Sequence, residues 1–434
     1  MKKNIVFCAG LLLLCSSFLW ANGQSEQPQG AATPAQKTTL QFWTRLGATP
    51  DEVNAIVGEW NTANPNVNIV VQNIPGDQYR TKLLTSVAGG NAPDVVGLDV
   101  AIMPQYMGQD ALLPLDSYIG AEGAGFHSDF GPGMWQGAAS GGKTYGVFWW
   151  SDPSALLYNK TLFSNAGLTP PQTWDELLSS ADRLTKQSSN PNEQVYGAIM
   201  PVVGPWVMWV WLPYLWSAGA HLLDANDCAA FNNAAGVSAM QLWVEIYKHG
   251  DMPRSAVFSK DTQAIDSAFY SGRVAMYTQG AGMIRQAAKV APTLELGVVP
   301  MPAARGGTRS SYLGGDYLVI MKSTKNAADA WKFITFAVDA KRMSSLAASN
   351  NGVWIDGLMV RSSALTPEFA QKYPYQQGFI DAERVGQVPT TKWLSEIRVP
   401  IWNGFQAALA GETTVEQAVA DAAAKVNQIT GCKK

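Results

Sequence analysis

The chain of 434 residues is poor in histidine and cysteine, with three of the first and four of the second. His127, His221 and His249 stand far apart in polar surroundings, and none falls in H-E-x-x-H or another ligand spacing. Zinc chemistry therefore has no scaffold in the sequence. Basic excess is missing too: 31 Lys and Arg face 34 Asp and Glu, with no basic block. A mildly acidic chain lacks the electrostatic footprint of a nucleic-acid binder. No apolar run is long enough for a permanent membrane span. The serine of Gly137-Ala-Ala-Ser-Gly falls one place late for G-x-S-x-G, so that hydrolase nucleophile is absent. There is no internal repeat, and no low-complexity tract after Lys37.

One motif is present in letters but not in context. Gly137-Ala-Ala-Ser-Gly-Gly142-Lys143-Thr144 satisfies the phosphate-loop pattern G-x-x-x-x-G-K-[ST]. That pattern binds phosphate only where a strand feeds the loop and a helix leaves it, so that backbone N–H groups hold the anion. Here Tyr-Gly-Val-Phe-Trp follows, an aromatic and β-branched run that reads as strand. The expectation is a glycine hairpin turn.

The N-terminus is a basic start, an apolar centre Ile5 to Leu14 and a small-x-small end, Ala21-Asn-Gly23. Residues 1–23 read as a secretory signal. A lipid-attachment role for Cys15 is the second reading, disfavoured by the bulk of Leu14. Cleavage removes Lys2 and Lys3, leaving 29 basic against 34 acidic residues and a net charge of −5. Residues 24–38, rich in Gln, Ala, Pro and Ser, read as a flexible tether. The remaining Cys228 and Cys432 are allowed a disulfide by export, one that would tie the C-terminus to a mid-chain loop. Their spacing does not show whether the Cα atoms approach.

The length suits two domains. Strands at Thr39–Trp43, Val67–Ile74 and Pro93–Asp99 alternate with helices at Pro50–Asn61 and Asp77–Val87. This is the order of an α/β domain with a parallel sheet, whose ligands gather at the carboxyl ends of strands. Trp43, Arg45 and Asp99 are singled out on that ground. Further strands are expected at Tyr196–Met200, Arg273–Tyr277, Leu296–Pro302 and Tyr312–Ile320, and further helices at Val237–Lys248, Asp261–Tyr270 and Asn326–Val338. Capping boxes at Thr173/Glu176 and Thr413/Glu416 open two others.

Sixteen tryptophans are the strongest signal. Trp60, Trp243 and Trp331 sit on helical stripes and read as packing. Trp43, Trp149, Trp150, Trp206, Trp209, Trp354 and Trp402 sit at strand ends, turns or loops, and roughly half of them are expected to face a ligand. An indole offers a flat apolar face that matches the C–H face of a pyranose, while nearby Asp, Arg and Asn satisfy hydroxyls. Trp149 and Trp150 are neighbours in a strand and point to opposite faces, so one needs a surface other than the core. Asp99, Asp152 and Asp316 meeting in one cleft would suit a two-carboxylate glycosidase. With no neighbour to tune one as an acid, the favoured reading is acceptors for hydroxyls or strand-end N–H groups.

Several motifs then follow in order: Gly90-Asn-Ala-Pro-Asp-Val-Val, Ala111-Leu-Leu-Pro-Leu-Asp, Tyr145-Gly-Val…Leu157-Tyr-Asn-Lys-Thr-Leu-Phe and Pro171-Gln-Thr-Trp-Asp-Glu-Leu. Ala268-Phe-Tyr-Ser-Gly-Arg-Val-Ala-Met, Leu313-Gly-Gly-Asp-Tyr-Leu-Val-Ile and Ala330-Trp-Lys-Phe-Ile complete the set. Each is weak alone. Together, from about Leu40 to Ile429, the chain resembles an extracellular solute-binding protein of an ABC sugar importer, in the maltose- and glycerol-3-phosphate-binding group.

The resemblance implies an α/β fold of two lobes joined by hinge-crossing strands, with sugar held in the interlobe cleft. It implies an N-lobe from 39–147, a C-lobe from 148–279, a return to the N-lobe over 280–323 and C-terminal helices, mainly C-lobe, over 324–434. Trp149-Trp150-x-Asp152 resembles the family's aromatic pair and Asp at the crossover. Trp206 and Trp209 match a site aromatic and its helix partner, and Trp402, before the C-terminal helices, a stacking tryptophan. Trp43 and Arg45 match the loop after the first strand, and Gly315-Asp316 the second crossing. Ser154 stands where relatives often carry Arg, and Gly282 where many carry Trp, which is expected to open space in the cleft.

The expected ligand-binding set is thus Trp43, Arg45, Asp99, Trp149, Trp150, Asp152, Trp206, Trp209, Gly282, Gly315, Asp316, Trp354 and Trp402. No catalytic residue, metal or cofactor is expected. The implied partners are a sugar or oligosaccharide and an ABC permease pair with its cytoplasmic ATPase, and the implied state is a monomer in the periplasm or another extracytoplasmic space. An exported glycan-cleaving enzyme and a sensor-coupled binding protein are the alternatives.

Overall fold

The computed structural model describes residues 37–45, 50–190, 192–202, 204, 207–258 and 262–433. The expected signal segment, Cys15 and Trp206 lie outside the described residues. Of the expected tether, Lys37 and Thr38 are described, and Thr38 already pairs in the first strand.

The chain opens β1 (Thr38–Thr44), α1 (Pro50–Ala63), β2 (Val67–Asn73), α2 (Gly76–Ala88) and β3 (Val95–Asp99). β1 lies between β2 and β3, parallel to both, as expected from the alternating pattern. Leu40, Phe42 and Thr44 point inward from β1, and α1 lays Val53, Ile56, Val57 and Trp60 onto the sheet. The Gly137–Thr144 segment is a hairpin. Ala139–Ser140 pairs antiparallel with Lys143–Thr144 across Gly141 and Gly142, whose φ values of 57° and 74° suit a tight primed turn. No helix follows Thr144 and the next long element is a strand, so the phosphate-loop context is absent.

Two strands then run almost end to end: β4 (Val147–Pro153) and β5 (Ala155–Asn159). They belong to different sheets, and the chain crosses over at Ser154. That residue is buried, with its N–H donating to the Tyr312 carbonyl and its Oγ accepting from the Tyr312 N–H, each at 2.9 Å. Beyond the crossing come α3 (Trp174–Leu184), β6 (Tyr196–Ile199), α4 (Val207–Ser217), α5 (Ala234–Lys248) and α6 (Thr262–Tyr270). Then follow β7 (Val274–Gln279), α7 (Gly282–Val290), β8 (Leu296–Val299), β9 (Ser311–Ile320), α8 (Ala327–Ala337), α9 (Leu394–Ala410) and α10 (Val415–Thr430).

Strand pairing divides these elements into two lobes. The first sheet holds β1, β2, β3, β9 and β4, with Gly386–Gln387 at its edge; the second runs β8-β5-β7-β6. The segment 280–323, expected in one lobe, contributes a strand to each sheet, because β8 pairs with β5 while β9 pairs with β3 and β4. Likewise β4, expected to open the C-lobe, lies in the first sheet up to Pro153.

Thr173 and Glu176 form the expected capping box. The final helix starts one residue later than expected: Thr414, not Thr413, caps α10, its Oγ1 accepting from the Gln417 N–H at 3.2 Å. Cys228 and Cys432 form a disulfide, with Cα atoms 5.0 Å apart, that ties the end of α10 to the turn before α5. Among the described residues no helix is long and apolar enough to cross a membrane, and no metal-ligating cluster occurs.

Candidate ligand-binding cleft

A cavity of about 390 Å³ lies between the two sheets. The first lobe supplies Arg45 just beyond β1, Asp99 at the end of β3, Trp150 and Asp152 from β4, and Tyr312 and Gly315 from β9. The second supplies Met208 and Trp209 from α4, Asp266 from α6, Tyr277 and Gln279 from β7, and Leu394, Ser395 and Arg398 from α9.

The register between β3 and β9 places Asp316 opposite Asp99. Arg45 reaches both carboxylates from the end of β1. Its Nε donates to Asp316 Oδ1 at 2.8 Å, and its Nη2 lies 2.7 Å from the same oxygen and 3.2 Å from Asp99 Oδ2. The guanidinium carbon also lies 5.6 Å from the centre of the Trp150 ring. Burial works to lower the Arg45 pKa, but Asp316 and Asp99 outweigh it, and the group is held above its ordinary value. Asp316 is wholly buried, and burial pushes it up to about 6 against the pull of Arg45, so it is still ionised at neutral pH.

Asp152 sits at the seam of the two walls. Its Oδ1 accepts from the Ala281 N–H at 2.8 Å. Burial pushes this carboxyl up to about 7, with the Ala281 bond opposing and Asp356 adding to the rise. A Cβ at Gly280 would stand 2.1 Å from Asp152 Oδ1, so the close approach requires glycine there. Gly315 answers a similar demand: its φ is 124°, and a Cβ would come 2.0 Å from the Trp150 carbonyl oxygen. From β7 onward a neutral row runs along the second wall. The Tyr277 hydroxyl donates to Asp266 Oδ1 at 2.7 Å, and Gln279 Nε2 lies 3.4 Å from that hydroxyl. Burial and Asp266 raise the Tyr277 pKa, keeping it a neutral donor.

Of the expected residues, Arg45, Asp99, Trp150, Asp152, Trp209 and Gly315 come together on this cavity, with Asp316 directly behind Arg45. Trp43, Trp149, Gly282, Trp354 and Trp402 do not line it. Strand alternation turns Trp149 into the core, fully buried and edge-on to Phe42 at 5.6 Å. Trp354 is also fully buried, its indole N–H donating to the Trp149 carbonyl at 2.8 Å. Trp43 packs beside the core with the Lys82 ammonium 4.8 Å from its ring centre. Trp402, expected before the C-terminal helices, lies inside α9 and donates to the Val202 carbonyl at 3.0 Å. Gly282 begins α7, where a Cβ would stand 3.2 Å from the Asp356 carbonyl oxygen; a missing side chain there does not widen the cavity.

Sequence reasoning missed the second wall's Tyr277, Gln279 and Asp266, and Ser395 and Arg398 on α9. The two-residue step from Tyr277 to Gln279 in a strand was a readable signal. α9 was harder to read, because Pro400 interrupts its pattern.

The walls combine an indole face, fixed donors and several carboxylate acceptors. Two α/β lobes, strands crossing between them and a cavity walled by both define a two-lobe binding protein. Residues 47–343 match the profile of the bacterial extracellular solute-binding proteins, and the chain belongs to that family. Membership makes it a solute-binding protein that works outside the cytoplasm.

Among similar solved structures, the sugar-binding protein MalE of Xanthomonas citri is 25% identical, with a TM-score of 0.78 over 91% of this chain and 98% of that one. The GacH receptor of Streptomyces glaucescens, described in unliganded form and with acarbose, is 25% identical with a TM-score of 0.75, covering 92% and 100%. The arabinooligosaccharide-binding protein of Bacillus subtilis is 22% identical over 353 residues, 77% of this chain and 76% of its own. The family and the two-lobe architecture are those the ordered motifs led us to expect.

Proposed function

We propose that this protein captures a sugar or oligosaccharide in the interlobe cavity and delivers it to a membrane permease pair driven by a cytoplasmic ATPase. It acts as a monomer in the periplasm, exported by the signal over residues 1–23, and performs no catalysis and uses no cofactor. The observation that carries the reading is the Trp150 ring facing a cavity beside Arg45 and Asp99. An apolar platform next to fixed donors and acceptors suits a pyranose. The sugars named for MalE, GacH and the arabinooligosaccharide-binding protein support the same class. Binding residues Arg45, Asp99, Trp150, Asp152 and Trp209 hold the ligand, Gly315 admits it, and Asp316 positions Arg45. Because the walls come from both lobes, ligand contacts favour the closed arrangement, and only that differential affinity shifts the balance.

A panel of sugars screened by intrinsic tryptophan fluorescence and thermal melting tests the proposal. One sugar class is expected to shift both, and Trp150→Ala to weaken its binding about tenfold or more, as loss of a buried aromatic anchor does. A panel that shifts neither signal sinks the reading. Turnover of a glycoside, abolished by Asp152→Asn, would promote the glycan-cleaving alternative instead.

A further inference from the structure

Arg285 joins the two lobes without lining the cavity. It lies on α7, between β7 and β8 of the second sheet, where the Tyr270 hydroxyl of α6 stands 3.2 Å from Met283 Sδ. Its guanidinium nevertheless reaches acids of the first lobe. Nη2 donates to Glu52 Oε1 on α1 at 3.2 Å, and Nη1 lies 3.7 Å from Asp356 Oδ1. Asp356 belongs to a turn fastened to β4: the Leu358 N–H donates to the Ser151 carbonyl, as the Trp354 indole N–H does to that of Trp149. Asn350 aims Glu52, its Nδ2 donating to the same Glu52 oxygen at 2.7 Å and to the Val353 carbonyl at 3.1 Å. The helix before it, Ala340–Ser349, is tied to α1 by Arg342 and Glu59 at 2.8 Å.

This clasp is buried: Arg285 is 8% exposed and the Glu52 side chain 13%. Another ion pair crosses between the lobes, Arg80 Nη2 to Glu396 Oε1 at 3.5 Å. Its side chains are 29% and 43% exposed, where water and salt leave little net gain. Glu52 sits in the first turn of the helix that follows β1, and Arg285 stands one turn beyond Ala281, whose N–H meets Asp152 at the seam. Both therefore face the gap between the lobes, and only the approach of the lobes brings them together. Arg285 Nε is buried with no hydrogen-bond partner among the described residues. That uncompensated donor offsets part of the gain, which suits a contact that must release.

We infer that Arg285 is an interlobe latch: its ion pair with Glu52, aimed by Asn350, stabilises the closed arrangement before any ligand enters. The pair exists in that arrangement alone, so its free energy shifts the open–closed balance directly. In open lobes both charges are hydrated, and the bias is the difference between a buried, hydrogen-bonded pair and two solvated ions. A charge-assisted hydrogen bond of this kind is expected to raise the closed-to-open ratio about tenfold. More molecules are then ready to grip a ligand, and apparent affinity rises with that fraction.

Small-angle X-ray scattering of the ligand-free protein tests the latch. Arg285→Met keeps an apolar stem and removes the charge, and Glu52→Gln removes the charge of its partner. Both variants are expected to scatter as less compact molecules than wild type, with the closed-to-open ratio down about tenfold. The double variant is expected to open no further than either single one, because both remove the same contact. Glu59→Gln breaks the pair with Arg342 inside the first lobe and is expected to scatter as wild type does. Melting curves check that every variant is folded. Folded Arg285→Met and Glu52→Gln with the wild-type profile overturn the latch. So does a double variant that opens by the sum of the singles, or a Glu59→Gln that opens as far as they do. No ligand enters the measurement, so the latch and the sugar reading stand or fall separately.

Discussion

On the first lobe's wall of the main cavity, Arg45 is held by Asp316 and Asp99 at 2.7–3.2 Å. On the second lobe's wall, Asp266 is held by the neutral Tyr277 hydroxyl, and at the seam Asp152 accepts a backbone N–H. The first arrangement is an ion network that fixes donors in place before a ligand arrives. The second is built of dipoles, and at the seam burial raises the Asp152 carboxyl to about 7, so its charge answers to pH. The ion-paired wall of the first lobe sets geometry, and the Asp152 carboxyl at the seam tunes strength.

The largest expected effect strips the support behind the first wall. Trp149→Ala removes a fully buried indole, and its expected cost is about 3–5 kcal/mol in urea unfolding. A cost below about 1 kcal/mol would show that the cavity is not held by this packing.

Arg45→Ala comes next. It leaves the wholly buried Asp316 without its ion partner, and the expected loss is about 3 kcal/mol at pH 7.5. Without the arginine, the Asp316 pKa rises further, so the folded variant takes up a proton that the unfolded chain has shed. The stability gained from that proton is lost as pH rises, and the deficit is expected to shrink between pH 7.5 and pH 5. An equal deficit at both pH values breaks the contrast between the two walls.

The smallest effect belongs to Asp152→Asn. Burial raises this carboxyl from its ordinary 3.8 to about 7, so between those values the folded state holds a proton that the unfolded state does not. The stability this contributes is fully present below the ordinary value and is lost as pH rises through about 7. Asparagine keeps the acceptor for Ala281 and carries no charge. The variant is therefore expected to melt about 2 °C above wild type at pH 8, a margin that narrows as pH falls to 5. A margin that does not change with pH would place Asp152 in the fixed wall rather than at the seam.

The legible part of the site was the part that follows from strand ends. Arg45 and Asp99 stand just beyond or at the carboxyl ends of parallel strands, where local alternation already puts them. Trp150 was legible as one of a pair, but alternation alone could not say which of Trp149 and Trp150 faces the cleft. The register of β4 against β9 makes that choice. Trp354 and Trp402 misled because position on a loop or near a helix end says nothing about burial. Each is held by an indole hydrogen bond to a backbone carbonyl distant in sequence, from Trp149 and Val202 respectively. Tyr277, Asp266 and Arg398 were missed because they reach the cavity from three separate elements of the second lobe.

By itself the sequence determined the α/β class, the hairpin nature of the Gly137–Thr144 turn and, through its ordered motifs, the likeness to a two-lobe family. These rest on local periodicity, turn chemistry and ordered motifs, all of which are short-range. Tertiary structure alone decided that Cys228 meets Cys432, that 280–323 serves both sheets, and which tryptophan meets the cavity. Those outcomes depend on the pairing of segments far apart in the chain. Pairing is set by the summed packing of both partners, and neither segment carries it alone.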